Sequence, residues 1–354
     1  MRRGTRGVAL AAVLALGLVA AGDVPPLTED QQRRISIACD EPFAPTGETV
    51  PRGVVVRDVT ITTVDGTELT GCLARPKGNK HRIDDLVVFA HGNGHAVQDA
   101  WRRHTWEVAS HGAAAIAVNY RDNFGFPTHQ GAEDLIATTT WAQQRFRGLE
   151  RTILFGVSMG GATSGTALTK AADVAPGMFD LWFTVEGVSV LLETWAEATA
   201  AEPAIGAAIE RDAGGTPADV PDRYVEGSPA LNADRMVAAG LQGAVVVHAP
   251  WDGRVPYWQG REMAAALLAA GLPTEFHTVV RGDGGPAGSD STPFGLVPTA
   301  GGDLEDANDQ TLGLAGHASE RDPEHPVMRT ALDRLLEVLA GDAITTSEGV
   351  ADLG

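Results

Sequence analysis

The chain has 354 residues, of which 44% are hydrophobic and 21% are charged. This composition is that of a folded globular protein with room for one large α/β core or two modest ones, and it excludes a mainly disordered chain. The formal charge of −19 disfavours nucleic acid as a partner because it repels phosphate, and it favours a solvated exterior over steering of cationic ligands.

Residues 1–21 have the pattern of a secretory signal peptide. Three arginines among the first six residues precede an apolar run over 8–19, and small residues follow it. The pattern predicts export, so that the protein is secreted or lies at the exterior of the cell envelope. The apolar run is short for a membrane span. An uncleaved anchor is therefore the less favoured alternative, and we expect no stable membrane insertion after cleavage.

Residues 22–52 are predicted to form an N-terminal extension, which contains one of the two cysteines of the chain. An even number of cysteines in an exported protein predicts a disulfide, here between Cys39 and Cys72. Two buried free thiols are the alternative.

The predicted α/β domain spans 53–341 and opens with a hairpin. Gly53 to Thr63 and Glu68 to Arg75 alternate apolar and polar residues around an Asp65-Gly66 turn. Short apolar runs, typical of strands buried on both faces, then alternate with amphipathic stretches. The runs are Leu86–Ala90, Ala113–Val118, Thr152–Phe155, Leu181–Val185 and Ala244–Val247, and Pro273–Val280 is predicted to be the last strand. This order predicts a mostly parallel sheet opened by an antiparallel hairpin, with helices on both faces.

Three segments do not fit the alternation. Residues 189–241 are too long for a simple crossover and, with a helical pattern over Leu191–Ala208, predict a small helical cap over the sheet. Residues 281–316 are rich in Gly, Asp, Pro and Ser and predict a long surface loop. Residues 342–354 are predicted to be a flexible tail.

The strongest functional pattern is Gly156-Val157-Ser158-Met159-Gly160-Gly161, between a predicted strand and a predicted helix. A sharp strand-to-helix turn exposes the Ser158 hydroxyl, and the flanking glycines allow the close backbone contacts of such a turn. The helix N-terminus also directs amide donors at charge that develops on a substrate. The pattern therefore predicts Ser158 as a nucleophile, against the alternative of a glycine-rich packing turn.

A second glycine-rich loop, His91-Gly92-Asn93-Gly94, follows the strand that ends at Ala90. A loop at this place supplies one amide of an oxyanion hole, and the residue after the nucleophile supplies the other. We therefore predict the amides of Met159 and Asn93 as oxyanion donors. The alternative for this loop is an ordinary glycine-rich turn without a catalytic role, and His91 is a candidate for a side chain that braces the loop.

The predicted acid and base follow the late strands. Asp252 comes shortly after Ala244–Val247, where a carboxylate can hold a histidine in the order Ser, Asp, His. Glu186 is the rival acid, and an Asp-Gly turn without chemistry is the other alternative. For the base, His317 is favoured over His325, which lies close to the terminal helix. His248 and His277 are expected to be packed or braced.

Together these motifs resemble the hydrolase domain of the prolyl oligopeptidase and acyl-peptidase superfamily, which has the α/β-hydrolase fold. The similar segments lie within 85–320 and include the two loops above, Asn119-Tyr120-Arg121, Gly227-Ser228-Pro229-Ala230, Asp252-Gly253-Arg254-Val255-Pro256 and Ala269 to Thr274. The resemblance implies Ser158, Asp252 and His317 as the triad of a serine hydrolase that transfers acyl groups without a cofactor.

The sequence also departs from that family. The roughly 60 residues before the core are too few for the N-terminal propeller of the oligopeptidases. No tyrosine adjoins Gly92 to Gly94, where those enzymes use one, and residues 281–316 lengthen the separation between acid and base.

These observations predict a hydrolase of carboxylic esters that acts through an acyl-enzyme on a small ester or short peptide. Cleavage of peptides or amides is the runner-up, and a non-catalytic binding protein with the same fold is the alternative of another class. Aromatic side chains are predicted to line the acyl pocket, namely Phe124, Phe126, Trp195 and Trp251. The histidines and acids lack metal-ligand spacing, so no metal site is expected. The oligomeric state stays open.

Overall fold

A computed structural model describes residues 50–63, 65–78, 83–93, 97, 101–123, 125–250, 252, 254–280, 317, 318, 320 and 324–352, and the backbone of four short strands at 37–38, 44–45, 296–298 and 304–306. The predicted signal peptide and most of the N-terminal extension lie outside the described residues. So do Cys39, Phe124 and Trp251, and the assignments made for them stay predictions.

The sheet opens with the predicted hairpin. Strands β3 (Val54–Thr63) and β4 (Glu68–Pro76) pair antiparallel, with Thr62 opposite Glu68 across a turn in which Gly66 has φ 85°. Two short strands, β1 (Ile37–Ala38) and β2 (Ala44–Pro45), pair antiparallel with β3. Strand β4 pairs antiparallel with β6 (Ala114–Val118), which joins the hairpin to the rest of the sheet.

From β6 onward the sheet is parallel. Strands β5 (Asp85–Ala90) and β7 (Arg151–Val157) are central, and β8 (Leu181–Val185), β9 (Gly243–His248) and β10 (Thr274–Val280) follow. In the described part of the chain, eleven strands form one sheet in the order β1-β3-β4-β6-β5-β7-β8-β9-β10-β13, with β2 beside β3 and with β13 formed by Ser347–Asp352. The predicted fold class is therefore confirmed.

Helices cover both faces of the sheet because successive strand residues point to opposite sides. Leu86 and Val88 face one apolar cluster, which also holds side chains of α2 (Thr128–Gln143), α3 (Met159–Val174) and α8 (Tyr257–Ala269). Val87 and Phe89 face the other cluster, with α1 (Arg102–Ser110) and α9 (Pro326–Leu339). A core on each face explains the uninterrupted apolar runs of the central strands.

Short helices fill the predicted insertion between β8 and β9. They are α4 (Leu191–Ala201), α5 (Pro203–Ala213), α6 (Pro221–Glu226), a 3₁₀ turn (Pro229–Asn232) and α7 (Ala233–Ala238). The helical pattern predicted over 191–208 corresponds to two helices and not to one, because the helix is interrupted at Glu202. Proline at position 203 has no amide to donate to the preceding turn, but it is well suited to begin a new helix.

The segment after α9 also differs from the prediction of a flexible tail. Strand β13 (Ser347–Asp352) pairs in parallel with β10, with Thr278 opposite Val350. Its side chains are largely exposed, so the sequence shows no apolar alternation that would reveal it. Backbone pairing along the edge of β10 forms this strand.

Two further short strands lie within the predicted long loop. Strands β11 (Leu296–Pro298) and β12 (Leu304–Asp306) pair antiparallel with each other. Within the described residues, none of the helices has both the length and the apolar character needed to cross a bilayer.

Candidate active site

The predicted site residues meet at one edge of the sheet. Because strands β5, β7, β8 and β9 are parallel, their carboxyl ends lie side by side. The oxyanion loop follows β5, Ser158 follows β7, and Asp252 comes after β9. This edge is where open parallel sheets bind ligands.

Ser158 occupies a sharp turn between β7 and α3. Its backbone has φ 56° and ψ −124°, a conformation that residues with a Cβ rarely adopt. The adjacent glycines make the turn possible, because a Cβ on Gly156 would overlap the carbonyl oxygen of Gly160, and one on Gly160 that of Ala90. Ser158 is partly exposed and lines a cavity. Its hydroxyl is thus presented on the turn that the sequence predicted.

His317 and Asp252 form a buried pair. The Nδ1 atom of His317 lies 2.8 Å from Oδ2 of Asp252, and both side chains are at least 90% buried. The other carboxylate oxygen of Asp252 accepts hydrogen bonds from the amides of Arg254, at 2.7 Å, and Val255, at 2.9 Å. These bonds fix the carboxylate toward Nδ1, so that the second ring nitrogen is left for the reaction.

Glu186, the rival acid, also reaches this pair. It follows β8 with φ 47°, is fully buried, and places Oε2 3.4 Å from Nδ1 of His317. Its carboxyl oxygens accept hydrogen bonds from the amides of Ala249 and Ala318, in the segments that follow β9 and carry the base. Asp252 makes the shorter contact to the imidazole, and Glu186 fastens the two segments together.

The two carboxyl groups differ in ionisation. Burial and the nearby charge of Asp252 raise the pKa of Glu186 well above its ordinary value. Burial acts on Asp252 as well, but the charge of His317 and the hydrogen bonds from His248 and His317 outweigh it and hold the pKa of Asp252 below its usual range. The site therefore favours the ionised form of Asp252 and the protonated form of Glu186.

Among the described residues, Glu186, Asp252 and His317 also form a group whose possible ligand atoms lie within 4.8 Å of one another. The 2.8 Å separation of Nδ1 and Oδ2 is a hydrogen-bond length. Ligands about 2.1 Å from a tetrahedral zinc ion stand farther apart than this. We therefore interpret His317 and Asp252 as a hydrogen-bonded acid–base pair, with Glu186 beside them.

The predicted oxyanion loop lies against the nucleophile. A Cβ on Gly92 would lie 3.2 Å from Cβ of Ser158, a tight contact that glycine avoids. The side chain of Asn93 donates to the carbonyl of Gly125 at 3.1 Å, and Asn93 lines the same cavity as Ser158. Met159 is the first residue of α3, where backbone amides have no partner within the helix. His91 stacks on Tyr120 with ring centroids 4.1 Å apart, as expected of a brace.

The other histidines have local partners. His325 precedes α9 and accepts a hydrogen bond from the amide of Val327 at 3.3 Å. His248 contacts the carbonyl of Val255 at 2.8 Å, and His277 contacts Glu275 at 3.1 Å. Of the two histidines considered as the base, the structure brings His317 to the acid and leaves His325 at a helix N-terminus.

Ser158, His317 and Asn93 line one cavity of about 320 Å³. Of the four aromatic residues predicted to form the pocket, Phe126 lines it. Trp195 instead packs inside the helical insertion, where its indole nitrogen donates to Glu210 at 2.9 Å. The apolar wall comes from residues that the sequence did not single out, namely Val188, Ile205 and Val255.

Charged residues at the cavity were also missed. Arg254 lies 3.6 Å from Glu202, which belongs to the break between α4 and α5, and both line the cavity. Glu320, three residues after the base, lines it as well and is 1% exposed. Glu202 and Glu320 belong to no motif in the sequence. Arg254 lies in the segment Asp252 to Pro256, but its place at the cavity could not be predicted because its partner is far away in the chain.

Solved structures with detectable similarity share this fold. The acylaminoacyl peptidase of Pyrococcus horikoshii is 16% identical, with a TM-score of 0.55, and the match covers 84% of this chain and 43% of that protein. A bacterial brefeldin A esterase, described as a homologue of human hormone-sensitive lipase, is 19% identical, with a TM-score of 0.56 and coverage of 94% and 91%. The acetyl xylan esterase of Paenibacillus sp. R4 is 15% identical, with a TM-score of 0.54 and coverage of 88% and 99%. The chain has the α/β-hydrolase fold.

This chain spans less than half of the length of the acylaminoacyl peptidase. Residues 118–284 match the model of the prolyl oligopeptidase family, and this match supports the prediction of a serine hydrolase. The matched segment includes Ser158 and Asp252 but ends before His317. Among curated proteins, none matches the chain in sequence.

Proposed function

We propose that this α/β-hydrolase cleaves carboxylic esters with Ser158 as nucleophile, His317 as base and Asp252 as the orienting acid. The observation that carries the proposal is the 2.8 Å contact between His317 and Asp252, beside a cavity lined by both His317 and the serine of the sharp turn. Such an arrangement activates a hydroxyl that is otherwise a weak nucleophile.

In this mechanism His317 takes the proton of Ser158 as the hydroxyl attacks the ester carbonyl. Asp252 stabilises the imidazolium that forms, because its carboxylate is ionised and fully buried beside Nδ1. The amides of Met159 and Asn93 stabilise the oxyanion, each donor contributing about 3 kcal/mol. The imidazolium then protonates the leaving alcohol, and water resolves the acyl-enzyme with the same base.

One observation favours a small acyl group, and a second favours esters over peptides. The cavity of about 320 Å³ lies near the lower end of ligand pockets, which range from roughly 300 to 1,000 Å³. The two esterases are matched over 91% and 99% of their own length, whereas the acylaminoacyl peptidase is matched over 43%. Cleavage of peptides or amides is the second candidate, which the prolyl oligopeptidase family match favours.

A fluorophosphonate probe tests the proposed nucleophile. The wild type should be labelled and should hydrolyse p-nitrophenyl acetate, and Ser158→Ala should do neither because the attacking oxygen is gone. Ser164→Ala is a matched control, since Ser164 lies on the same helix with its hydroxyl buried. Absence of labelling in the folded wild type would indicate a non-catalytic binding protein.

A substrate panel then separates the two candidate reactions. We expect p-nitrophenyl esters of short acids to be cleaved with a higher kcat/KM than those of long acids, and faster than aminoacyl p-nitroanilides. Faster cleavage of the anilides would transfer the proposal to the peptidase candidate.

Export and the Cys39–Cys72 disulfide are parts of the same proposal. The charge and apolar pattern of residues 1–21 supports export. Cys72 is buried in β4. Mass spectrometry of the exported protein, with and without reduction, would detect cleavage near Ala21 and the loss of two hydrogen atoms on oxidation of the two thiols to a disulfide.

A further inference from the structure

We propose that Glu320 is a positioning residue that fixes the oxyanion loop relative to the loop that carries the base. The inference rests on the proposed function, since it concerns the donors that stabilise the transition state. Glu320 follows His317 by three residues, and no motif in the sequence singles it out.

The contacts of Glu320 join three segments. One carboxylate oxygen accepts a hydrogen bond from the amide of Gly92, in the loop after β5. The other oxygen accepts from the indole nitrogen of Trp101 at 2.9 Å, and the main-chain carbonyl contacts Nε2 of His104 at 2.9 Å. Residues 101 and 104 lie at the start of α1, so the base loop is fastened both to this helix and to the oxyanion loop.

The contact with Gly92 acts close to the reacting atoms. The site of a Cβ on Gly92 lies 2.7 Å from Oε1 of Glu320 and 3.2 Å from Cβ of Ser158. A shift of this backbone would therefore move the next peptide, which carries the amide of Asn93, relative to the nucleophile. The amide of Gly92 already has Glu320 as its acceptor, which is consistent with the amide of Asn93 as the predicted oxyanion donor.

A carboxylate suits this position better than any neutral side chain. Two N–H donors, from Gly92 and Trp101, face its two oxygens. An ionised carboxylate accepts at both oxygens, whereas the amide of glutamine accepts at one and presents N–H groups at the other. Glu320→Gln thus keeps the shape of the side chain while it places a donor against a donor.

The experiment combines Glu320→Gln with Trp101→Phe, which removes the indole donor. We expect Glu320→Gln to lower kcat for p-nitrophenyl acetate by about 10- to 100-fold with little change in KM, because misplacing a catalytic group by about 1 Å has effects of this size. Binding of a boronic acid, which forms a tetrahedral adduct at serine, should weaken in parallel. In the double variant the glutamine can turn its oxygen to Gly92, so kcat should recover relative to Glu320→Gln, even though loss of the indole lowers stability.

Asp180→Asn provides a matched control. Asp180 also accepts one backbone amide, that of Thr152 at 2.7 Å, and one side-chain N–H, that of Gln242 at 2.8 Å. It lies just before β8, at the opposite edge of the sheet from Ser158. This variant should change thermal stability and leave kcat and boronic acid binding unchanged.

The possible outcomes separate this inference from the proposed function. Wild-type hydrolysis that persists in Ser158→Ala would overturn the proposed function and this inference with it. If Ser158-dependent hydrolysis is intact, then an unchanged kcat in Glu320→Gln overturns the role of Glu320 alone. A loss of kcat that the double variant does not relieve, or that Asp180→Asn reproduces, also overturns it and indicates a purely structural role.

Discussion

Ser158 and Glu186 are the described residues other than glycine that have a positive φ, and they follow the neighbouring strands β7 and β8. Such a conformation costs roughly 1–3 kcal/mol at a residue with a Cβ and persists where the surroundings enforce it. At Ser158 the enforcing contacts are backbone hydrogen bonds. Its amide donates to Val185 at 3.0 Å, and its carbonyl accepts from Gly161 and Val188 at 2.8 and 3.1 Å.

This backbone strain leads to a prediction for Ser158→Gly. Glycine adopts a positive φ without a steric penalty, so Ser158→Gly should be at least as stable as Ser158→Ala in urea unfolding, although both are inactive. At Ala265, an exposed position in α8, alanine to glycine should cost about 1 kcal/mol of unfolding free energy. A similar loss at residue 158 would contradict the interpretation of strain.

A second prediction concerns the buried Glu186. Because its pKa is raised in the folded protein, the folded state binds more protons than the unfolded chain at pH values above the ordinary pKa of 4.5. The unfolding free energy of the wild type should therefore fall as pH rises through this window, and Glu186→Gln should remove that part of the slope. Thermal unfolding of both proteins from about pH 5 to about pH 8 measures the difference.

Parallel slopes in the two proteins would show that Glu186 is ionised.

For activity, Asp252→Asn should lower kcat by about 10⁴-fold, as loss of the orienting carboxylate does in serine proteases. Glu186→Gln should have the smaller effect because its oxygen is 3.4 Å from Nδ1, against 2.8 Å for Asp252.

A residue of the site could be predicted from the sequence when the residues it contacts lie close to it in the chain. The turn at Ser158 is encoded within six consecutive residues, so it could be predicted locally. Glu186 contacts an amide 132 residues away, and Glu320 contacts one 228 residues away. Such partners become visible only when the sheet brings the strand ends together.

At the scale of elements, a buried ionic cluster joins the inserted helices to the core helices. Lys170 on α3 lies 2.9 Å from Glu226 on α6 and 3.9 Å from Glu133 on α2, and each of the three is less than 10% exposed. Burial opposes the ionisation of Glu226, but the charges of Lys170, His129 and Arg223 outweigh it and lower its pKa to about 2. Glu226 is therefore ionised at neutral pH.

Lys170→Met should destabilise the protein by about 3 kcal/mol, since it leaves buried carboxylates without this cation while Arg223 still contacts Glu226. Lys170→Met with Glu226→Gln should recover much of that loss in urea unfolding. The stabilisation that Glu226 provides should be present above pH 4.5 and should disappear as pH falls toward about 2. No recovery in the double variant would argue against charge as the cause.

Element prediction succeeded where packing leaves a pattern in the sequence. The hairpin and the central strands were found because one-sided or two-sided burial fixes the period of their apolar residues. The break at Glu202 was missed although proline follows it, since the apolar pattern continues on both sides. Strand β13 was missed because pairing with β10, and not burial of its side chains, defines it.

For the whole molecule, 46 acidic residues against 27 lysines and arginines produce strong self-repulsion. Raising the salt concentration from about 0.01 M to about 0.15 M shortens the Debye length from about 30 to about 8 Å, so the melting temperature should rise. Differential scanning calorimetry measures this change, with sucrose at equal osmolality as a control for general exclusion effects. A melting temperature that falls with salt would mean that attractive ion pairs dominate.

The helices between β8 and β9 are formed by one continuous segment of the chain. Thr194, Glu202 and Ile205 of that segment form part of the cavity wall. The proposed catalytic residues Ser158, Asp252 and His317 all come from other parts of the chain. The residues of this segment that line the cavity can therefore be exchanged without any change in the residues proposed to carry out the reaction. A chimaera that exchanges this one stretch could acquire a new preference among substrates while it inherits the catalytic apparatus intact.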